Sequence, residues 1–553
     1  MKKSLLITSL ILFWPLYALI KPYFHAGIPY THDGENHLAR FANYKIALKE
    51  GQFPPRFAPN LNNHYGYPVF NYNYPLANIL SVPFSILGIS YELTFKILMI
   101  SAVLLGCWGI YQWLTVLKLG NWQLRLLTIV SWLLAPFTVN LIYVRGNIGE
   151  LWAMALFPWL LWLTHQFHED KKVPYWLSSG VMTAFLLAHN ISVLFGGSLW
   201  LVYCLVILGK NRVGWRRLIW RGVLSLGLSL WFWLPALAEK NQVILDNADL
   251  SGQFSQHFPT LAQLISAPLQ FGYSFPTPVD TLSFAVGLSG LVGLILGTIL
   301  VIRIKKPSLK RKYLWLSLIM GWLLFFLQTN FSYQLWKALP LVQFIQFPWR
   351  LSLYLVLIVL PLITVLLDRA TSLRYLFIGI FVMQLSAVLR FQPADYFHRN
   401  TIDYDLFSQS TSTANENMPI GFSYAVTPVT EMVVDWSPAP RVATGSAEIT
   451  VESWTGTKRS YSLVVTERSL IFEPTFYFAG WQTTVNNKPI EYATMSETEG
   501  RIGYWLEPGS YEVQTEFTQK TWSRILGNTL SALAGAIILW FVVHEVANLK
   551  INK

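Results

Sequence analysis

Twelve runs of mostly apolar residues constrain this chain more than any other feature of its sequence. A helix that crosses a lipid bilayer needs about 20 such residues. The pattern therefore predicts a mostly α-helical, polytopic membrane protein with about 12 transmembrane helices. The predicted spans are 4–21, 92–117, 122–139, 149–166, 174–189, 191–209, 219–237, 281–303, 313–329, 348–367, 374–391 and 524–547.

The composition excludes most soluble classes of protein. Apolar residues make up 53% of the chain and charged residues 13%, whereas a soluble globular protein carries about 25% charged residues. Cys107 and Cys204 lie in apolar runs, which excludes a disulfide framework. The N-terminal Met-Lys-Lys and the apolar run behind it resemble a signal peptide. Because no small-residue cleavage site precedes Lys21, we expect an uncleaved first span.

The net charge of +12 is explained by topology rather than by a nucleic-acid partner. Basic residues concentrate in segments 210–221 and 303–312, while the long loop 239–280 has Lys240 as its single basic residue. Cytoplasmic loops of membrane proteins are enriched in Lys and Arg. We therefore expect a multi-pass protein of the cytoplasmic (inner) membrane with both termini in the cytoplasm, and no nucleic-acid partner.

Three segments are then expected outside the membrane: a first outer loop at 22–91, the loop 239–280, and residues 392–521. Residues 75–89 are apolar but short and contain two prolines, so we interpret them as an interfacial or re-entrant helix on the outer side. The predicted units are a transmembrane domain at 1–391, an extracytoplasmic domain at 392–521, and a final span with a cytoplasmic tail at 522–553.

Segment 392–521 is predicted to form a small, β-rich domain. It is richer in Thr, Ser, Glu and Asn than the rest of the chain, and polar and apolar residues alternate in 461–467 and 511–517. Turn residues at Asn486-Asn487 and Pro508-Gly509 bound these runs. Strand-period alternation between turns is typical of antiparallel hairpins.

Polar residues cluster at the outer ends of the predicted spans. The first cluster, Thr31–His37, contains His32, Asp33, Glu35 and His37 before a helix-like stretch. Asp33 either caps this helix or carries out chemistry. A metal site formed by these four residues is disfavoured, because the segment lacks a His-x3-His helical pair. No cofactor is predicted, and nothing in the sequence supports a divalent metal.

Three further clusters are expected on the same side. Arg145 and Glu150 lie between two spans, where the alternatives are a headgroup anchor and a residue stabilised by a helix dipole. The pair His189-Asn190 lies between two closely spaced spans, where a simple helix cap is the alternative. Arg350 ends the sequence Gln-Phe-Pro-Trp-Arg, which either belongs to an aromatic belt or holds a phosphate.

These motifs carry a family resemblance. A first span, an outer loop with Asp33 before an interfacial helix, and a second outer loop with Arg and Glu resemble the GT-C superfamily of integral-membrane glycosyltransferases. The sequences THDGENHLAR, YVRGNIGE, AHN and QFPWR are similar to bacterial 6-pyruvoyl-tetrahydropterin-synthase-related membrane proteins. The stretches 477–488 and 506–513 are similar to the end of YfhO-type membrane proteins.

The resemblance implies a GT-C-like transmembrane domain that moves a sugar from a polyprenyl-phosphate donor to a glycan, lipid or protein acceptor at the outer membrane face. The family's catalytic acid corresponds to Asp33, with Glu35 as the neighbouring alternative, and its second acidic position to Glu150. Substrate or phosphate binding is expected of His32, His37, Arg145, His189, Asn190 and Arg350. The alternatives are a lipid-linked sugar flippase or exporter, and a non-catalytic cell-envelope assembly factor.

Overall fold

A computed structural model describes residues 12–244, 252–276, 279–304, 309–412, 415–421 and 437–551. Several predicted features lie outside these ranges. They are the first half of the first predicted span, Lys305 and Lys306 of the basic loop, parts of 239–280 and 392–521, and the terminal Lys553.

Helices dominate the described chain, and a helix is present at each predicted span. Residues 12–20 are helical. The α-helices after them are Gly34–Lys49, Val69–Tyr72, Leu76–Ile86, Tyr91–Val116, Trp122–Leu133, Pro136–Asn140, Ile148–His168, Tyr175–Ala188, Asn190–Leu208, Arg212–Ala238, Leu261–Ile265, Leu288–Arg303, Leu309–Leu327, Tyr333–Ala338, Pro340–Gln343, Ser352–Ile358, Leu360–Arg369, Thr371–Arg390, Thr401–Asp405, Met495–Thr498 and Trp522–Ile551.

The predicted number of about 12 spans is not confirmed. Within the described residues, 6 helices are long and apolar enough to cross a membrane, or up to 8 if each of two bent pairs is one span. One physical reason is length: at 1.5 Å per residue, a 14-residue helix such as Tyr175–Ala188 reaches about 21 Å, short of a hydrocarbon core of about 30 Å. The helix Leu76–Ile86 is shorter still, in agreement with the prediction that 75–89 does not span.

The last helix shows how apolar the outside of the bundle is. Ile525, Leu533, Trp540 and Val543 along Trp522–Ile551 are all more than half exposed. A soluble protein seldom exposes contiguous apolar surface of this extent. These side chains have the character of a lipid-facing surface.

The predicted β-rich region contains a six-stranded sheet in which all strand pairs are antiparallel. The strands in chain order are β1 Ile28–Pro29, β2 Tyr396–Phe397, β3 Arg441–Trp454, β4 Lys458–Phe476, β5 Trp481–Val485, β6 Lys488–Pro489, β7 Arg501–Leu506 and β8 Gly509–Phe517. Its central strand, β4, pairs with β3, β7 and β8, and β5 then extends the sheet from β8 to β6. A separate two-stranded ladder joins β1 of the first loop to β2, directly after the bundle.

Both predicted strand runs lie in this sheet. Residues 461–467 are part of β4 and residues 511–517 part of β8. The Asn486-Asn487 turn joins β5 to β6, and both residues have a positive φ. Asn tolerates this left-handed conformation better than most residues, which suits a tight hairpin.

A buried charge network ties the bundle to the last helix. Glu239, at the end of Arg212–Ala238, accepts a hydrogen bond of 2.8 Å from Nη2 of Arg524 in the last helix. Its Oε1 also accepts bonds of 2.6 Å from the hydroxyls of Thr521 and Ser523. Asn71 of the first loop donates to Oε2 at 3.1 Å. Because Glu239 and Arg524 are buried, these partners replace the water that both charges lose.

Replacing Glu239 with Gln tests this network. The substitution leaves Arg524 as a buried cation without a counter-ion, which costs about 3–5 kcal/mol of stability. We expect a clear fall in the midpoint of thermal unfolding of the purified protein in detergent. The control is Asp170→Asn, which breaks an exposed pair with Arg217 and should leave the midpoint nearly unchanged. Equal midpoints for both variants would contradict a stabilising role.

Candidate functional site

Six separate chain segments meet around one polar cavity of about 560 Å³. Four of them are residues 30–40, 73–74, 145–147 and 346–350. The fifth is the loop between helices Arg212–Ala238 and Leu288–Arg303, which contributes residues 253, 273, 274 and 282, and the sixth contributes residues 411 and 416. The polar side chains that line the cavity include His32, Asp33, Asn36, Arg40, Asn73, Tyr74, Arg145, Asn147 and Arg350.

Backbone hydrogen bonds dock the first loop on the second. The N–H groups of His32 and Asp33 donate to the carbonyls of Val144 and Arg145, each at 2.9 Å. Arg145 ends a π-helical turn, Leu141–Arg145, and such turns are common at functional sites. The turn directs Arg145 into the cavity that Asp33 also lines.

The carboxylate of Asp33 does not cap its helix. Asp33 occupies the N-cap position of Gly34–Lys49, but its side chain makes no capping hydrogen bond. Instead Oδ2 accepts a bond of 3.0 Å from Nδ2 of Asn147. The amide oxygen of Asn147 meanwhile caps the helix Ile148–His168 by accepting from the N–H of Glu150 at 2.9 Å. The capping interpretation of Asp33 is therefore wrong, and its carboxylate is held toward the cavity.

Glu150 lies behind the cavity wall and holds two arginines in place. It is 1% exposed, and its Oε2 accepts a short hydrogen bond from Nη1 of Arg145. Its Oε1 lies 3.2 Å from Nε of Arg350. The two guanidiniums also pack on aromatic rings: Arg145 lies over Trp349 and Arg350 over Phe347. One carboxylate thus compensates part of two positive charges and fixes the direction of both side chains.

His189 and Asn190 support this arrangement from outside the cavity lining. Nδ1 of His189 accepts from the N–H of Ser192, so His189 caps the helix Asn190–Leu208 as the capping alternative predicted. Its Nε2 lies 3.8 Å from Oε1 of Glu150. Nδ2 of Asn190 donates to the Tyr72 carbonyl at 2.8 Å. Both residues contact the segments that form the site rather than its open volume.

The side chains of His32, His37 and Glu35, which belong to the first cluster, lie in different surroundings. His32 lines the cavity, stacks on Tyr273 and has Nε2 3.0 Å from the Gly272 carbonyl oxygen. Burial lowers the pKa of His32, which keeps the ring neutral at neutral pH. His37 is buried behind the lining, and burial lowers its pKa well below the ordinary value. Glu35 points elsewhere and forms an ion pair of 2.5 Å with Arg399.

Asn36, Arg40 and Asn147 are among the cavity residues that were not predicted from the sequence. Asn147 contacts Asp33, and Asn36 and Arg40 lie one helical turn apart on Gly34–Lys49. The i, i+4 spacing of Asn36 and Arg40 was visible and puts them on one helix face. Nothing in the sequence showed that this face meets the second loop rather than lipid.

Within the described ranges, no group of three or more His, Cys, Asp or Glu side chains is arranged to hold a metal ion. His32, Asp33, Glu35 and His37 are adjacent in sequence but point in different directions. The residues of the cavity therefore give no fit to a preformed divalent-metal site.

Comparison with known proteins identifies the family. A model of the family described as "6-pyruvoyl-tetrahydropterin synthase related domain; membrane protein" matches residues 70–393. The chain belongs to this family. The sequence resemblance to these membrane proteins is therefore confirmed, and the matched part contains Arg145, Glu150, His189 and Arg350. The match begins after the Asp33 cluster.

The chain is similar to three solved structures of "Arabinofuranosyltransferase AftD from Mycobacteria". Two of these structures are of the mutant R1389S. The identities of the three structures to the chain are 15%, 14% and 16%, with TM-scores of 0.42, 0.45 and 0.40. The matches cover 70%, 69% and 69% of this chain, and the chain spans 26%, 28% and 27% of the length of those structures. No curated protein sequence matches the chain.

Gly146→Ala tests the docking of the two loops. Gly146 has a φ of +62°, and a Cβ there would lie 2.1 Å from Oγ1 of Thr31. We expect the variant to be less stable and to lose the activity of the site, because Thr31 precedes His32 and Asp33. The control is Gly51→Ala, where φ is +90° but nothing lies within 4 Å. It carries the backbone strain of about 1 kcal/mol without the clash, so equal defects in both variants would argue against the contact.

Proposed function

We propose that this protein is a GT-C-type glycosyltransferase that moves a sugar from a polyprenyl-phosphate donor to an acceptor hydroxyl at the outer face of the cytoplasmic membrane. One observation carries the proposal. Two carboxylates, Asp33 and Glu416, and three guanidiniums, those of Arg40, Arg145 and Arg350, line one polar cavity in a chain whose helices have lipid-facing character. A base and a set of phosphate ligands are the two requirements of this reaction.

Asp33 is the proposed general base. Its Oδ2 is occupied by Asn147, and Oδ1 has no hydrogen-bond partner among the described residues. Oδ1 is thus available to accept the proton of an acceptor hydroxyl as the hydroxyl oxygen attacks C1 of the sugar. The bond from C1 to the phosphate oxygen breaks with its electron pair going to the phosphate. Attack opposite the leaving group inverts the anomeric centre.

The leaving phosphate needs positive charge, which the cavity arginines supply. A guanidinium presents a rigid fork of donors that matches phosphate oxygens. Because Glu150 and the ring contacts hold Arg145 and Arg350 in place, their orientation does not have to be created during the reaction. Glu150 itself is too deeply buried to reach an acceptor, and we assign it a positioning role.

The surroundings of the cavity suit a lipid donor and an exposed acceptor. The apolar helix Leu76–Ile86 packs against Gly34–Lys49 and exposes Ile79 and Ile86, which fits a prenyl chain at the membrane boundary. The rings of Tyr30 and Tyr273 are partly exposed at the cavity and offer flat apolar faces for a sugar. We propose that the sheet of β3–β8 helps to hold a glycan, lipid or protein acceptor.

Asp33→Asn tests the assignment of the base. The amide keeps the size of the side chain but does not accept the proton, so transfer should fall by roughly 10²–10⁴-fold. The measurement is transfer of labelled sugar from polyprenyl phosphate to acceptor in membranes with equal amounts of each protein. Transfer at the wild-type rate would remove Asp33 from the mechanism.

The matched control is Glu35→Gln, a substitution of the same kind two residues away. Glu35 pairs with Arg399 outside the cavity lining, so we expect transfer to remain within a few-fold of wild type. If Glu35→Gln abolishes transfer and Asp33→Asn does not, Glu35 is the base.

A further inference from the structure

Arg40 is a cavity arginine that forms no ion pair with any described carboxylate within 4.0 Å, although Asp33 and Glu416 line the same cavity. It is 6% exposed and lies on helix Gly34–Lys49. Its hydrogen bonds go to one residue, Thr411, through Nε to Oγ1 at 3.1 Å and through Nη2 to the backbone carbonyl. Arg145 and Arg350, in contrast, both contact Glu150. A buried cation without a counter-ion is costly unless a ligand supplies one.

The contacts of Arg40 fix its orientation and leave donors free. Thr411 is itself held by Tyr67, whose hydroxyl lies 2.6 Å from Oγ1 and accepts from the Thr411 N–H at 3.1 Å. A guanidinium has five N–H donors, and Thr411 engages Nε and Nη2 alone. Nη1 has no partner in the described part of the chain. Arg40 thus lines the cavity with a rigid, partly unsatisfied fork.

A second donor lies beside this fork. Asn36 is one turn earlier on the same helix, it lines the same cavity, and no hydrogen bond occupies its amide among the described residues. A guanidinium and an amide on one helix face offer convergent N–H donors to an anion. A phosphate group offers this pair more acceptor oxygens than a carboxylate does, and a guanidinium pairs with it through two parallel hydrogen bonds.

Arg350, the phosphate ligand expected from the sequence, has fewer free N–H donors than Arg40. Its Nε faces Glu150, and its Nη1 donates to the Ile345 carbonyl at 3.0 Å and to Oε1 of Gln346 at 2.7 Å. Nη1 of Arg145 is likewise engaged by Glu150. Both arginines thus already have a counter-ion in Glu150, while Nε and Nη2 of Arg145 make no described hydrogen bond.

We infer that Arg40, assisted by Asn36, forms the phosphate-binding subsite of the cavity, while Arg145 and Arg350 chiefly position its wall. The inference rests on the proposed function in taking the phosphate to be that of a lipid-linked sugar. The same chemistry recognises a phosphate group on a prenyl chain and free inorganic phosphate, and the two sources are separated by the test.

The test is equilibrium binding to the purified full chain in lipid nanodiscs, with three probes: a short-chain prenyl phosphate, the matching prenol, and inorganic phosphate. We expect Arg40→Gln to weaken prenyl phosphate binding roughly ten- to one-hundredfold, because charge-assisted hydrogen bonds are lost. Prenol binding should not change. Arg40→Lys, which keeps the charge but not the fork, should give an intermediate affinity.

Two further variants keep the test independent of folding defects. Asn36→Ala removes a side chain without described hydrogen bonds and should weaken prenyl phosphate binding several-fold in a protein with an unchanged unfolding midpoint. Arg468→Gln removes an exposed arginine from the sheet, where it pairs with Glu507, and should bind like wild type. If Arg40→Gln does not fold, the results for Arg40→Lys and Asn36→Ala decide.

The outcomes separate this inference from the proposed function. Equal prenyl phosphate binding by wild type, Arg40→Gln and Asn36→Ala overturns the subsite, while sugar transfer by wild type still supports the proposed function. Arg40-dependent binding of inorganic phosphate without any sugar transfer supports the subsite and counts against the proposed function. A wild type that binds neither phosphate probe overturns the subsite.

Discussion

The carboxylate of Glu150 is the interaction on which the candidate site depends. It is buried at the start of the helix Ile148–His168 and lies between the guanidiniums of Arg145 and Arg350. Arg145 ends the π-helical turn and Arg350 lies in the 3₁₀ helix Pro348–Leu351, so one side chain joins two distant parts of the chain. Without Glu150, two buried cations would face each other, and the cavity wall they form would lose its shape.

The helix dipole and the cap add to this interaction. Glu150 lies in the first turn of its helix, where the positive end of the dipole favours a negative charge. Asn147, the cap of that helix, also donates to Asp33. The proposed base and the two positioned arginines are therefore fixed by the same helix start. A disturbance there should affect the proposed base and the cavity wall together.

A second buried charge network works at a distance from the cavity. Glu239 and Arg524 join the end of a bundle helix to the start of the last helix, and Asn71 brings in the first loop.

Glu50, at the end of helix Gly34–Lys49, accepts from the N–H of Gly456 in the β3–β4 turn at 3.1 Å. The helix that carries Arg40 is thus connected to the sheet.

Apolar runs and strand alternation were readable from the sequence because each depends on local periodicity. The helices at the predicted spans, the short helix near residues 75–89, and the strands β4 and β8 followed from that periodicity. The number of membrane-crossing helices did not follow, since helix length depends on where turns such as that before Pro136 break a run.

The site was only partly predictable for a different reason. Asp33, Arg145 and Arg350 stood out as charges beside apolar runs, and the cavity contains all three. Glu35 stood out equally, yet it pairs with Arg399 because the helix turns it away from Asp33. For Arg40 and Asn147, no local pattern showed which part of the protein they face. Their place in the cavity depends on the docking of loops more than 100 residues apart, which no local pattern encodes.

The most direct test of the account is the stereochemistry of a single turnover. Purified protein in lipid vesicles would be mixed with polyprenyl-phosphate pentose and hexose donors of known anomeric configuration and an acceptor alcohol, and the product analysed by NMR. We expect transfer from at least one of these donors with inversion at C1, because Asp33 is proposed to activate the acceptor on the face opposite the leaving phosphate. Transfer with retention, or movement of the donor across the bilayer without any transfer, would contradict it.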